Sequence, residues 1–138
     1  MAALQQNTSG FNNTASGTAA LQNNTNGYNN TATGDNAMQA NRSGFNNAAH
    51  GVQALGANTT GYNNTADGVQ ALFGNTSSSD NTDSGINSLH ADATGSANTA
   101  PQCRNSSSSV QQARNYPRGR TAPPLSQWLR NARLDRSG

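Results

Sequence analysis

Residues 54–70 read A-L-G-A-N-T-T-G-Y-N-N-T-A-D-G-V-Q, and this stretch is one copy of a unit that recurs with a period of seventeen residues. Each copy opens with a small residue followed by an aliphatic one, without insertions or deletions between copies. A fixed short period predicts a stacked-repeat architecture, in which each repeat packs against its neighbours. The opening pairs are Ala3-Leu4, Ala20-Leu21, Ala37-Met38, Ala54-Leu55, Ala71-Leu72 and Ser88-Leu89.

Comparison of the copies separates constrained from variable positions, which we number from the opening residue of each repeat. Position 9 is aromatic in four copies, Phe11, Tyr28, Phe45 and Tyr62, and is Ser79 and Ser96 in the last two. Asparagine fills position 5 of the first five copies (Asn7, Asn24, Asn41, Asn58, Asn75) and position 11 of all six (Asn13, Asn30, Asn47, Asn64, Asn81, Asn98). Positions 3, 4, 7, 14, 16 and 17 vary, which predicts that they face water.

The composition does not suit an ordinary globular core. Apolar residues make up 31% of the chain and charged residues 10%, against about 45–50% and about 25% in typical domains. Such a composition often indicates disorder, but the strict register of the first hundred residues argues against it. Residues 1–100 carry one Arg and five Asp, whereas residues 101–138 carry seven Arg and one Asp, so the net charge of +2 conceals a basic tail.

The repeat pattern predicts an all-β chain, a parallel β-solenoid or β-roll of about six 17-residue coils over residues 1–100. Two glycines per repeat would each cost a helix about 1 kcal/mol, whereas short strands separated by Asn/Gly turns fit the pattern. We expect N-T-A-x-G to form one strand and the residues around A-L a second. Coils rising about 4.8 Å each would build a rod about 30 Å long.

Specific residues are assigned to ladders and corners of this solenoid. The position-11 asparagines are expected to form an amide ladder from coil to coil, and those at position 5 a second one. Glycines are expected at corners that need positive φ. These turn glycines are Gly10, Gly17, Gly27, Gly34, Gly44, Gly51, Gly61, Gly68 and Gly85.

The core that one coil can offer is small. Burying one Leu and one ring yields about 2–3 kcal/mol each, while ordering the backbone costs about 1–2 kcal/mol per residue. We therefore expect the aliphatic and aromatic rows to be shared between chains, most simply in a homotrimer. The predicted core and interface residues are Leu4, Phe11, Leu21, Tyr28, Met38, Phe45, Leu55, Tyr62, Leu72 and Leu89.

Residues 101–138 form an Arg/Ser/Pro-rich tail without the repeat, predicted to be mostly disordered. Leu125, Trp128, Leu129 and Ala132 fall at helical spacing, so a short helix over residues 125–135 is conceivable. The tail suits a docking peptide, an electrostatic contact, a disordered extension or a non-native addition. It contains no nucleic-acid-binding motif, so nucleic acid is not an expected partner.

The runs N-T-T-G-Y-N-N-T-A-D-G-V-Q-A-L (residues 58–72) and N-N-T-A-S-G-T-A-A-L (residues 12–21) resemble repeats in the head and stalk regions of trimeric autotransporter adhesins. They are also similar to repeats of phage-type tail fibres. The resemblance covers about residues 3–100 and implies a homotrimeric β-roll. It also implies an extracellular, cell-surface or virion-tail location and binding to a host-surface glycan or matrix protein. The sequence shows no heptad stalk and no anchor barrel, which leaves the anchoring mode open.

Enzymatic chemistry is not expected. The chain has no Glu and no P-loop, H-E-x-x-H, G-x-S-x-G or C-x-x-C motif. His50 and His90 occupy different repeat positions, so they do not predict a metal column, and no cofactor or membrane span is expected. Two further functions remain open, a self-assembling extracellular filament and an ice-binding solenoid. The ice-binding function would use the position-12 threonines Thr14, Thr31, Thr65, Thr82 and Thr99. Because the chain enters the repeat in phase at Ala3, we expect a segment of a longer repetitive protein.

Overall fold

A computed structural model describes residues 1–89, 96–97 and 99–101. Within them the chain winds as a parallel β-solenoid, and no helix is present among these residues. The described residues contain six three-residue strands. These are β1 (Thr14–Ser16), β2 (Thr31–Thr33), β3 (Ala48–His50), β4 (Thr65–Asp67), β5 (Thr82–Ser84) and β6 (Thr99–Pro101).

The strands form one sheet in the order β1-β2-β3-β4-β5-β6, and every neighbouring pair is parallel. Each pair is in register at a spacing of one repeat: Ala15 lies beside Ala32 and Ala32 beside Ala49. The predicted all-β solenoid is thus confirmed. From β1 to β5 the continuously described chain makes about four turns, and much of the sixth predicted coil lies outside the described residues.

The second predicted strand, around A-L, is wrong, because this stretch consists of turns. The Ala20 N–H donates to Gly17 O, the Gln22 N–H to Ala19 O and the Asn24 N–H to Leu21 O, each three residues back. Ala19 and Leu21 accordingly have φ values of 58° and 49°, at the turn position that needs positive φ in type II turns. The same φ recurs near 50° at Met38, Leu55 and Leu72.

The core is a narrow column inside the coil. The middle residue of each strand from β1 to β5 points inward, and Ala32, Ala49 and Ala66 are fully buried. The A-L turns close the coil from the other side and bury the opening pairs of the second to fifth repeats. Leu4, Ala15 and Leu89 pack against this column while partly exposed.

No helix in the described part of the chain is long and apolar enough to cross a membrane. The predicted tail, including the possible helix over residues 125–135, lies outside the described residues apart from Pro101 at the end of β6.

Candidate functional site: the ladders and outer rows of the solenoid

The aliphatic row is buried inside a single chain. Leu21, Met38, Leu55 and Leu72 have no solvent exposure although no second chain is present. These four residues are core residues, as predicted, but the prediction that they need neighbouring subunits to stay dry is wrong; Leu4 and Leu89 at the ends of the row are only partly buried. The turns that carry these residues aim their side chains into the coil, where the inward alanines are small enough to admit one large side chain per repeat.

Unlike the aliphatic row, the rings of position 9 do not belong to the core, which corrects the prediction for them. Phe11, Tyr28, Phe45 and Tyr62 stand in a column on the outer surface and stack on one another with nearly parallel planes. Their centroids are 4.9 to 5.0 Å apart, which matches the coil rise. Phe11 and Tyr62, at the ends of the column, are 57% and 40% exposed. Each stacked pair is worth about 0.5–1.5 kcal/mol, so the rings stabilise the coil stack from outside.

Two amide ladders run through the interior of the coil. At position 5, the Asn41 Nδ2 donates to Asn24 Oδ1 at 2.8 Å, and this contact repeats from Asn7 to Asn75. At position 11, Asn47 donates to Asn30 Oδ1 from both its backbone N–H (3.0 Å) and its Nδ2 (3.1 Å). This second ladder extends from Asn13 to Asn81. Asn98, its sixth predicted member, lies outside the described residues.

From the second to the fifth coil, the two ladders converge on one backbone carbonyl in each coil. Gly27 O accepts from Asn24 Nδ2 at 3.1 Å and from Asn13 Nδ2 at 2.7 Å. Gly44 O and Gly61 O each accept a pair in the same way. In the fifth coil Ser78 O does so. From Asn24 to Asn75, each amide of the two ladders therefore donates two hydrogen bonds through Nδ2, which offsets the cost of burying it.

The position-8 glycines serve close packing rather than positive φ, which corrects the prediction for Gly10, Gly27, Gly44 and Gly61. None of the four is among the residues with positive φ. A Cβ on Gly10 would overlap Gly27 O and lie 2.6 Å from Asn24 Nδ2. At position 15, by contrast, φ is between 129° and 142° for Gly17, Gly34, Gly51 and Gly68. Gly85, the last predicted turn glycine, does not share this positive φ.

A third amide ladder lies on the outside, directly after the rings. Asn29 Nδ2 donates to Asn46 Oδ1 and Asn46 Nδ2 to Asn63 Oδ1, both at 3.2 Å. Asp80 ends the row and accepts from Asn63 Nδ2 at 3.0 Å. These residues have φ values of 53° to 60°, which asparagine and aspartate tolerate better than most residues. This row was not predicted, although the repeated N-N pairs of the first four copies signal it.

The variable positions do not all face water equally. Residues at positions 7, 14 and 16 are exposed in nearly every described coil, whereas those at positions 3, 4 and 17 are mostly half-buried beyond the first coil. Position 16 changes along the rod from Thr18 and Asp35 to aliphatic residues. Val52, Val69 and Ile86 are 44%, 40% and 64% exposed, and we call them the aliphatic stripe. At position 14, His50 lies beside Asp67 in the strand register. His90 is outside the described residues.

One buried carboxyl group interrupts the core. Asp83 takes the inward place held by alanine in β1 to β4 and has no solvent exposure. The Ser88 hydroxyl donates to Asp83 Oδ2 at 2.5 Å and lies 3.2 Å from Gly85 O. Burial raises the pKa of Asp83 above 3.8, and the hydrogen bond from Ser88 partly opposes this rise. Ser88 is itself the one opening residue that is not alanine, so two polar substitutions meet inside the column.

The contact between Asp83 and Ser88 was not predicted from the sequence. They are five residues apart and belong to different repeats, and only the A-L turn brings them together. The sequence does carry a signal for this contact, because Asp83 and Ser88 both replace an alanine that the other copies have at an inward position. In the described residues, no group of three or more His, Cys, Asp or Glu could hold a metal ion.

Comparisons with known proteins add nothing to this geometry, because no protein-family model, curated protein or solved structure matches the chain.

Proposed function

We propose that this chain is a segment of a non-enzymatic structural fibre with an adhesive surface, carried outside a cell or on a virion. The observation behind the proposal is that each coil from the first to the fifth is tied to the next at the same seventeen-residue spacing. Backbone bonds, buried amides and, in the first four coils, stacked rings all share that spacing. Repeated ties of this kind favour a stiff rod whose length grows by identical increments.

The outward rows supply the adhesive surface of this proposal. Positions 7, 14 and 16 are exposed and change from coil to coil, so they can contact a ligand without disturbing the ladders. The described residues include one Arg and four Asp. One of these, Asp83, is buried, so three Asp side chains and one Arg contribute to the surface charge. A surface with little positive charge suits neutral or basic partners, such as a host-surface glycan or a matrix protein, better than polyanions.

Self-association as a homotrimer remains part of the proposal, but on a different surface from the aliphatic row. In the third to fifth coils, the aliphatic stripe of Val52, Val69 and Ile86 is more exposed than the aliphatic row inside the coil. Burying apolar area yields about 25 cal/mol per Å², so three copies that share their stripes gain contacts that one chain lacks. The same row is polar at Thr18 and Asp35, which confines the contact to one part of the rod.

Sedimentation equilibrium and small-angle scattering test the self-association. We expect a mass of three times 14.2 kDa and an elongated shape. Changing Val52, Val69 and Ile86 together to Thr should yield monomers, whereas Thr60→Ser on the exposed position-7 row is the matched control. A monodisperse wild-type monomer at every concentration contradicts the trimer.

Retention on surfaces tests the adhesive part separately. The protein, coupled to beads, should bind to glycan-coated or matrix-coated surfaces more strongly than an unrelated rod-shaped protein does. Binding no stronger than that of the unrelated rod contradicts the adhesive function whatever the oligomeric state.

The outward threonine row supports ice binding as a second candidate. Thr14, Thr31, Thr65 and Thr82 project from the same face of a parallel sheet at matching register. Ala48 interrupts this row, and His50 and Asp67 project from the same face, which disturbs a flat lattice of hydroxyls and methyls. Thermal hysteresis in dilute solution would favour ice binding over adhesion, and none is expected.

A further inference from the structure

The ring column stops at Tyr62 although the solenoid continues. In the next coil, position 9 is Ser79, and in the coil after that it is Ser96. The backbone keeps its register across this step: the Asp80 N–H donates to Tyr62 O at 3.0 Å, and the Asn81 N–H donates to Asn64 Oδ1 at 3.0 Å. The fifth coil therefore lacks the ring but keeps the backbone register of the solenoid.

Ser79 does not fill the place that a fifth ring would take. Its hydroxyl turns back toward the backbone and accepts the Tyr62 N–H at 3.2 Å, and only 5% of the residue is exposed. Ser96, one coil further in the same row, is small and exposed. Tyr62 is stacked on Phe45 at 4.9 Å and is 40% exposed, whereas Tyr28 and Phe45, with rings on both sides, are only partly exposed. In the described part of the chain, no second ring stacks on the other face of Tyr62, which we call its free face.

The position after Tyr62 in its own coil and the positions beside it in the following coil are polar. Asp80 follows Ser79 along the chain, is exposed, and accepts the Asn63 amide on Oδ1 at 3.0 Å. The carboxylate has a second oxygen, and each oxygen of an ionised carboxylate can accept more than one hydrogen bond. We call the free face of Tyr62 together with Ser79, Asp80 and Asn63 the ledge.

We propose that the ledge binds a neutral pyranose sugar, whose ring stacks on Tyr62 in the place that a fifth aromatic ring would occupy. This assignment rests on the proposed adhesive function and names its ligand class. The C–H face of a pyranose is flat and apolar, and the column already holds rings at one-coil spacing. Hydroxyl groups at the edge of the sugar ring then donate to Asp80. Binding sites that combine an apolar platform with a few polar groups are the usual form for small ligands.

The charges of the ledge separate a neutral sugar from other planar ligands. Asp80 repels the carboxylate or sulfate groups of acidic sugars. An arginine side chain could also stack on Tyr62, but its two-point pairing with a carboxylate uses both oxygens. Because Asp80 Oδ1 already accepts the Asn63 amide, such pairing would place a second donor on that oxygen beside Asn63 Nδ2. A hydroxyl donor needs only the remaining acceptor capacity.

Titration followed by NMR tests the assignment, with methyl β-D-glucopyranoside and methyl β-D-galactopyranoside as probes and the full chain labelled in its tyrosine rings and its backbone amides. A single stacked sugar is expected to bind with a Kd of about 1–10 mM. The ring signals of Tyr62 should shift saturably, while those of Tyr28, stacked on both faces, stay in place. Tyr62→Phe keeps the face and should retain binding; since it removes the reporting ring, its binding is measured on the amide of Ser79.

Ser79→Phe extends the column with the residue that other coils use, and it should weaken sugar binding at least tenfold. If this variant does not fold, Tyr62→Leu removes the platform and should have the same effect, read on the Ser79 amide. The proposal is overturned if neither sugar shifts Tyr62 saturably, if Ser79→Phe binds as wild type does, or if N-acetyl-arginine amide binds more tightly than both sugars. Ser79→Phe leaves the aliphatic stripe intact, so trimer mass and rod shape are unchanged in it. Loss of the ledge therefore leaves the fibre proposal standing.

Discussion

The first four coils, residues 3–70, and the fifth, residues 71–87, keep the same strand register but carry different side chains at three constrained positions. The fifth coil replaces the ring by Ser79, the close-packed glycine by Ser78 and the inward alanine by Asp83. It retains the aliphatic residue Leu72 and the interior asparagines Asn75 and Asn81, and β5 still pairs in register with β4. This difference indicates that the interior amides and the aliphatic column hold the register, while the rings reinforce it.

The largest expected effect comes from breaking an interior ladder. Asn47→Ala removes the acceptor of both Asn64 donors and a donor to Gly61 O. Each buried polar group left without a partner costs about 1–3 kcal/mol, so unfolding free energy should fall by about 4 kcal/mol, as measured by chemical denaturation. The neighbouring Asn46→Gly, which interrupts only the exposed ladder and keeps positive φ accessible, should cost less than about 1 kcal/mol. Equal losses in the two variants would contradict the leading role of the interior.

Removing a ring should cost less. Phe45→Ser copies the fifth coil into the third and deletes two stacked pairs, which predicts a loss of about 1–3 kcal/mol. Phe11→Ser deletes one described pair and should cost about half as much. Thermal unfolding of both variants provides the measurement. A cost for Phe45→Ser as large as that for Asn47→Ala would assign the register to the rings instead.

The buried carboxyl group makes the fifth coil pH-dependent. Because the pKa of Asp83 in the folded chain is raised above 3.8, the folded state binds its proton more tightly than the unfolded state does. This contribution is therefore most favourable in acid, and stability should fall as pH rises from about 4 through the raised pKa. Asp83→Ala together with Ser88→Ala restores the core of the other coils.

We expect this double variant to gain about 1–2 kcal/mol at pH 7 and nothing at pH 3, in denaturation curves measured at both values. Ser84→Ala, at the neighbouring outward position, is the control and should leave the pH dependence unchanged. The proposed effect of Asp83 is contradicted if the stability of the wild-type chain rises between pH 4 and pH 7 and the double variant shows the same dependence on pH.

The smallest effect is expected on the outer surface. Val69→Thr alters an exposed member of the aliphatic stripe and should change the unfolding free energy of the isolated chain by less than about 0.5 kcal/mol. It should weaken self-association nonetheless, which analytical ultracentrifugation of the same samples would detect. A large loss of stability in the monomer would show that this row belongs to the core.

The strands and the stacking could be predicted because both follow from periodicity: T-A-x recurs every seventeen residues, and identical residues then stack. The turns at Leu21 and Leu55 could not, since leucine has no intrinsic preference for positive φ, and it is the i to i+3 hydrogen bonds that impose it there. The inward or outward direction of Leu55 and Tyr62 was also undetermined, because both are large and apolar. The width of the coil decides that Leu55 lies inside it and that the ring of Tyr62 stays outside.

The uniform spacing of the ties between coils has a consequence for evolution of length. Adding or deleting one whole repeat brings every amide, ring and strand to an equivalent partner, so unequal recombination between repeats would change the reach of the rod in steps of about 4.8 Å. Adding a single residue instead would move the inward alanine of that strand to the outer face. Selection can thus tune reach freely, while it removes nearly every other change in spacing.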